Sequence, residues 1–478
     1  MAMVADPMAL AGARPAAAQV APARMRHYAR LLGTATTLLA SMLVAFHPRT
    51  LTLEQALLAA AIGVVGLVPA LLYLRRGAVE PVPLLPLHGV FYAVAFGFVA
   101  FFPGLHWMGT GESAVTAALL LALAGVLALY AAYAAAGPLL RRLRPVRIRV
   151  DVGPAGLRAW AWVFFAAHLA HQYIPRLAEI SSLPHLLYPL GWLAMGLLFT
   201  QHLRGELPLG HRALFFGAAL PAELFSRFVT GALYEFFMVF AFLLLIYWQM
   251  RRRIRWVFMA LLVGLFSLLN PVKFNYRQAL KAMPSETGPL VKAEAFLSVV
   301  GDYYSGRGEE ATEIAASSSL NRLGHVPVFA YVVERTPETI PYWGGETYGY
   351  FLASLVPRAL WPEKPGAAFG NDFGHRYDIL ASGVYDTSIN LPWVVEFYVN
   401  FGPWAMLAGM ALVGLALRVL VQKLNNPAAN DCEYVLGLTL CFQLFWAESN
   451  LAIMWGGLLQ TSIALYVVLT VAARRFRW

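Results

Sequence analysis

The sequence predicts an all-α integral membrane protein of about 12 transmembrane helices carrying one large, mostly helical loop. Three observations predict it. Of 478 residues, 59% are hydrophobic and only 13% charged, where soluble domains carry about 25% charged residues. The apolar residues fall in repeated runs of roughly 20, the length needed to cross a ~30 Å hydrocarbon core. One interval, Asn270 to Gly402, lacks such runs over roughly 130 residues, and connections of that length are usually functional.

In chain order, residues 1–30 are rich in Ala and Pro with scattered Arg, and read as a disordered cytoplasmic tail. No convincing cleavage site follows, so the first apolar run is expected to stay as an anchor. Residues 31–272 hold nine expected spans, at 31–47, 54–74, 84–103, 113–137, 157–174, 184–202, 212–229, 232–250 and 254–272. Residues 273–402 form the loop. Residues 403–478 hold three more spans, at 403–421, 433–449 and 451–472, and a cytoplasmic C-terminus. No repeat of 20–50 residues is visible, which argues against solenoids and propellers.

The net charge of +10 invites a nucleic-acid reading, but its distribution excludes one. The basic clusters are Arg24, Arg26 and Arg30; Arg75 and Arg76; Arg141 to Arg149; Arg251 to Arg255; and Arg474 to Arg477. With twelve spans all of them fall on one side, which the positive-inside rule makes the cytoplasm, with both termini inside. The loop then lies outside the cytoplasm, and its 10 Lys+Arg are outnumbered by 14 Asp+Glu. Only two cysteines occur, Cys432 and Cys441, both in one expected helix, so neither a disulfide framework nor a zinc site is indicated.

Expected spans seven and eight form a hairpin with an unusually polar outer end: Glu223, Arg227, Tyr234 and Glu235. Charges at membrane depth cost ~2.5–3.5 kcal/mol each on insertion scales and therefore face a partner or a cavity. Glu223 and Arg227, four residues apart, read either as an ion pair or as a polar cavity wall.

Within the loop, residues 290–335 read as largely helical with an interruption near Tyr304 to Gly308, and Pro337 to Gly345 as a turn-rich segment. Tyr348 to Leu360 is apolar enough to sit in the interface and too short to span. The cations Lys273, Arg277, Arg322, Arg358, Lys364 and Arg376 gather near membrane entry points, the depth of a lipid phosphate or diphosphate. Arg meets phosphate oxygens with a planar fork and Lys as a point charge. Headgroup anchoring explains any one of them; their collection on a side that positive-inside pressure depletes favours anion binding. In Pro357 to Pro365, PRALWPEKP, three prolines and Trp361 bracket Arg358 and Lys364 and would hold both rigidly. Asp372, His375 and Asp378 have a weak metal-like spacing, and no metal is expected there; His375 is a candidate base. Glu396 is a second candidate base for a sugar hydroxyl. His325 and Glu448 are weaker candidates. The P-loop, HExxH and GxSxG signatures are absent. So is an Asp-x-Asp in the loop, so a glycosyl donor, if there is one, is lipid-linked rather than nucleotide-linked.

The order KFNYR, then Asn321-Arg322, then TYGYFLASLVPRALWPEKP, then EFYVNFG before a membrane helix resembles bacterial oligosaccharide repeat-unit polymerases, the Wzy-type O-antigen, capsule and exopolysaccharide polymerases. The resemblance covers about 130 to 150 residues. It implies a GT-C-like inner-membrane glycosyltransferase that needs no cofactor or metal. The donor would be an undecaprenyl-diphosphate-linked oligosaccharide, and a chain-length co-polymerase is a possible partner. On these motifs Arg277, Arg358 and Glu396 would be catalytic, and Lys273, Arg277, Arg322, Arg358 and Lys364 would hold the diphosphate; NDFGHRYD matches the family less closely, so His375 stands as a catalytic candidate on its residue type. The loop aromatics Tyr303, Tyr304, Tyr342, Trp343, Tyr348 and Trp361 could stack on sugars. Rival readings are an O-antigen ligase acting on lipid A core, a polysaccharide transporter or flippase, and a non-catalytic export scaffold.

Overall fold

Where hydropathy marks a run, the computed structural model has a helix, and no strand occurs among the described residues. Those are residues 17–147, 153–174, 177, 183–231, 233–284, 287–305, 322–354, 356, 361, 363–364, 366, 369–385, 387–445 and 447–476. The helices run α1 (Ala17–Ala45), α2 (Leu53–Arg75), α3 (Leu84–Tyr92), α4 (Glu112–Leu140), α5 (Pro154–Tyr173), α6 (Leu183–Arg204), α7 (Leu209–Leu214), α8 (Leu220–Val229), α9 (Leu233–Arg251) and α10 (Trp256–Leu269). Then come α11 (Val272–Ala282), α12 (Pro289–Ser305), α13 (Val326–Arg335), α14 (Glu346–Ser354), α15 (Phe369–Arg376), α16 (Trp393–Leu424), α17 (Asp431–Phe442) and α18 (Leu451–Phe476).

Seven helices among the described residues are long and apolar enough to cross a membrane: α1, α2, α3 with its extension to Phe101, α4, α9, α16 and α18. Their outward positions are apolar, as are nearly all those of the 14-residue α10, which exposes Val257, Leu261 and Val263. Apolar surface on that scale belongs against lipid. The chain is a membrane protein.

Three expectations shift in detail. The segment read as a disordered tail is helical from Ala17 onward, because its alanines favour helix and Met25 and Tyr28 pack against Tyr73 and Trp248. The stretch expected to span at 433–449 holds a helix of only 12 residues, which tightens into a 3₁₀ turn at Gln443–Phe445. Helix α16 does not begin at residue 403 but at Trp393, ten residues into what reads as loop. It breaks at Gly402 (φ 80°), where a side chain would be strained. Pro403 cannot donate to Val399, so the break frees the Val399 and Asn400 carbonyls. The backbone N–H groups of Trp343 and Gly344 take them at 3.0 and 3.1 Å, which ties the loop onto the helix.

Small residues let the central helices touch. A Cβ at Gly414 of α16 would lie 2.2 Å from the Leu129 carbonyl of α4, the close approach that drives packing in lipid. Helices α2, α3, α4 and α16 form one group, with α13 against α4; α5, α6, α9, α17 and α18 form the other. Four of the five basic clusters meet at one end. Met25 packs on Tyr73, Arg252 donates to the Tyr73 hydroxyl (3.2 Å), Arg147 pairs with Glu433 (3.1 Å), and Arg251 donates to the Leu203 carbonyl (2.6 Å).

Candidate functional site: a cation cluster beside an interhelical cavity

Helix α11 starts three residues after α10 ends, so Lys273 and Arg277 stand one turn apart near the end of an apolar helix. Arg322, just before α13, comes within electrostatic reach of Lys273. Burial, and then Arg322 and Arg277, push the Lys273 ammonium down to about 8, with Glu448 opposing them. A lysine shifts this way where burial disfavours its charge and neighbouring cations add to that. The carboxylate acting here is Glu448, in the turn before α18. Its Oε1 lies 3.8 Å from an Arg322 Nη, beyond hydrogen-bond distance, and its Oε2 accepts from His325 Nε2 at 3.2 Å.

His325 is itself held by an irregularity in α3. That helix widens into a π-turn over Ala93–Gly97, which leaves a carbonyl outside the regular ladder. The Ala95 carbonyl accepts the His325 backbone N–H at 2.9 Å. The chain from α3 through His325 and Glu448 to Arg322 therefore fixes one side of the cluster.

Adjacent to it lies a cavity of about 550 Å³ between α6, α8, α9, α17 and α18, lined by Tyr188, Trp192, Arg227, Tyr234, Glu235 and Gln460 among others. Tyr234 is within reach of the Arg322 charge, and the lining residue Ser449 follows Glu448 directly. The two sequence readings of Glu223 and Arg227 both hold. Arg227 pairs with Glu223 at 2.5 Å and also faces the cavity. It donates to Tyr188, lies 3.4 Å from Glu235, and sits 4.7 Å from the rings of Tyr188 and Trp192. Glu223 is held on its other side by His168 Nε2 (2.9 Å), which Gln172 also contacts. Gly191 leaves room for that imidazole, since a Cβ there would lie 2.4 Å from it.

Lys273, Arg277 and Arg322 are thus brought together. Arg358 and Asn321 lie outside the described residues, so the proline-bracketed pair is represented by Lys364 alone. Lys364 is buried and donates to the carbonyls of Ser354 (3.2 Å) and Val356 (3.1 Å), 5.4 Å over the Tyr350 ring. Ser354 links it to the cavity, since the same carbonyl also accepts from the lining residue Gln460. His375 is bonded within its own loop, to the Val384 carbonyl at 3.0 Å. Arg376 pairs with Glu346 at 3.0 Å and covers Trp343 at 4.2 Å. No three His, Cys, Asp or Glu side chains gather as a metal set among the described residues, those of Asp372, His375 and Asp378 included. Glu396 is fully buried. Its Oε2 accepts the Leu451 N–H at 2.6 Å, capping α18, while its Oε1 has no partner among the described residues. Of the loop aromatics, Tyr303, Trp343 and Tyr348 pack inward, while Tyr342 and Trp361 are 37% and 40% exposed.

His168 and Tyr188 escaped the sequence reading. The available signal was His168 and Gln172 four apart just after the apolar run 159–167, the spacing of a polar stripe.

The family model described as a domain of unknown function, DUF8712, matches residues 159–475, about two thirds of the chain. No curated protein and no solved structure matches it.

Proposed function

We propose that this chain, which belongs to the DUF8712 family, is a glycosyltransferase of the bacterial inner membrane that polymerises undecaprenyl-diphosphate-linked oligosaccharide repeat units on the periplasmic face. The reading includes twelve spans, a GT-C-like arrangement and cytoplasmic termini. The observation that carries it is the convergence of Lys273, Arg277 and Arg322, with Glu448 as their counter-charge, at the edge of a cavity 550 Å³ in volume. Fixed positive charge at membrane depth is what a departing diphosphate requires.

In this reading a hydroxyl of the incoming lipid-linked unit attacks the anomeric carbon of the growing chain. The new C–O bond forms as the bond to diphosphate oxygen breaks, and undecaprenyl diphosphate leaves with the electron pair. Arg277, Arg322 and Lys273 neutralise that charge, with Arg358 and Lys364 as further diphosphate contacts. Diphosphate is a good leaving group, so positioning and electrostatics carry the step. The hydroxyl proton goes to Glu448, the carboxylate that stands in the cluster. Glu396 caps α18 and thereby seats the Glu448 turn, while His375 is engaged with its own loop.

The test is reconstitution of the full-length protein with a purified undecaprenyl-diphosphate-linked repeat unit. Wild type should build ladders, and Arg277→Ala and Arg322→Ala should leave single units while accumulating normally. Wild-type ladders from both variants overturn the assignment. Transfer of single units to lipid A core without ladders would make the enzyme a ligase. Movement of lipid-linked glycan without extension would make it a transporter.

A further inference from the structure

A second cavity is larger than the one beside the cation cluster. About 890 Å³ lies at the basic end, enclosed by α2, α3, α4 and α16. Its walls are apolar, with Val68, Leu72 and Leu85 among them, and Arg76, Arg141 and Arg418 line it where the helices end. The floor is pinned by Asn425, which donates to the Val82 carbonyl at 2.6 Å and accepts the Val82 N–H at 2.7 Å. Arg418 lies over Gly137, where no side chain competes for space, and 5.2 Å from the Tyr133 ring. One guanidinium Nη donates to the Tyr133 hydroxyl (3.4 Å) and stands 4.0 Å from Glu80. Its Nε is closed off from solvent and donates to nothing among the described residues. Arg76 and Arg141 are exposed and enter no ion pair among the described residues. Three guanidinium groups therefore face one carboxylate, at the mouth of a chamber whose lining is mostly apolar.

We infer that this chamber binds a phosphate-headed amphiphile. Its phosphate sits between Arg76, Arg141 and Arg418, where the planar forks suit phosphate oxygens, and its chains lie against Val68, Leu72 and Leu85. An apolar body with a single anionic head is the ligand for which both halves of the lining are complementary. Two sources share this chemistry, a glycerophospholipid of net negative charge and a polyprenyl phosphate.

The test uses the full-length protein, purified in detergent and stripped of lipid, and follows its thermal unfolding with four probes: phosphatidylglycerol, phosphatidylcholine, undecaprenyl phosphate and inorganic phosphate. Phosphatidylglycerol or undecaprenyl phosphate should raise Tm by several degrees, and phosphatidylcholine and inorganic phosphate should not. Whichever of the first two acts at lower concentration identifies the source. The Arg76→Gln/Arg141→Gln variant removes only exposed side chains, so it should unfold at the wild-type temperature without lipid. It should need ~10-fold more anionic lipid for the same shift, the order expected for lost charge-assisted hydrogen bonds. Arg277→Ala, at the other cavity, should leave the response intact, which separates this site from the proposed active site. An unchanged response in the double variant, or an equal shift from phosphatidylcholine or inorganic phosphate, overturns the inference.

Discussion

Two groups of charges stand side by side in this protein and are built on opposite principles. Around Arg227 every charge is answered: two carboxylates, a tyrosine hydroxyl and two aromatic faces enclose one guanidinium, and His168 secures Glu223 from behind. Around Lys273 the balance among the described residues is lopsided: burial weighs first on its ammonium, then Arg322 and Arg277, and Glu448 is the carboxylate that opposes them. A closely paired network holds helices in place and leaves its cation little charge to offer a ligand. An unsaturated one costs stability in the empty protein and recovers it when an anion arrives. The difference separates scaffold from site within a single patch of polar residues.

The largest expected effect breaks the scaffold side. Arg227→Met leaves Glu223 and Glu235 without their cation, and breaking a buried pair this way costs ~3–5 kcal/mol. Thermal unfolding and yield of folded protein should both drop, and Glu223→Gln added to Arg227→Met should restore part of the loss. Next comes the site side, where the sign reverses. Arg322→Ala should change stability by no more than about 1 kcal/mol, since the group is 41% exposed and its partner is 3.8 Å away, yet it should abolish chain extension. A large loss of Tm in this variant would place Arg322 in the scaffold.

A subtler contrast comes from pH. The folded-state pKa of Lys273 is lowered, from 10.5 to about 8. Between those values the unfolded chain binds more protons than the folded one, so stability attributable to Lys273 rises as pH climbs through that window. Anion binding moves the other way and weakens as the ammonium is lost above about 8. Lys273→Met should flatten both trends in paired unfolding and binding titrations. The smallest effect is the control: Arg251→Ala, exposed at the basic end, should stay within ~0.5 kcal/mol of wild type and leave chain length unchanged.

The membrane class and the helices were legible because length and apolarity are local properties of a segment, and so was the placing of Lys273 and Arg277 just beyond a long apolar run. Arg322 could be grouped with them only as a cation near a membrane entry point. What could not be read is whatever depends on distant partners. Glu448 acquires its importance from His325, more than a hundred residues earlier, and His325 takes its position from a carbonyl in α3. Nothing in the apolar run around Ala95 announces a widened turn. Similarly, EFYVNFG reads as a lead-in to a helix, whereas its valine and asparagine carbonyls anchor the Trp343 segment. Glu396, conspicuous in the sequence, is spent on the start of α18.

The widened turn in α3 makes the geometry of the cluster a matter of counting. A π-turn holds one residue more than a regular helix would need for the same advance. Deleting a single alanine from Ala93–Gly97 would let the hydrogen bonds close up into an ordinary α-helix with its flanks still in register, and the carbonyl now outside the ladder would return to it. The hook for His325 would vanish, and with it the leash on the acid, though no charged atom had been altered. A deletion scan across those five positions would therefore silence the protein through one backbone carbonyl.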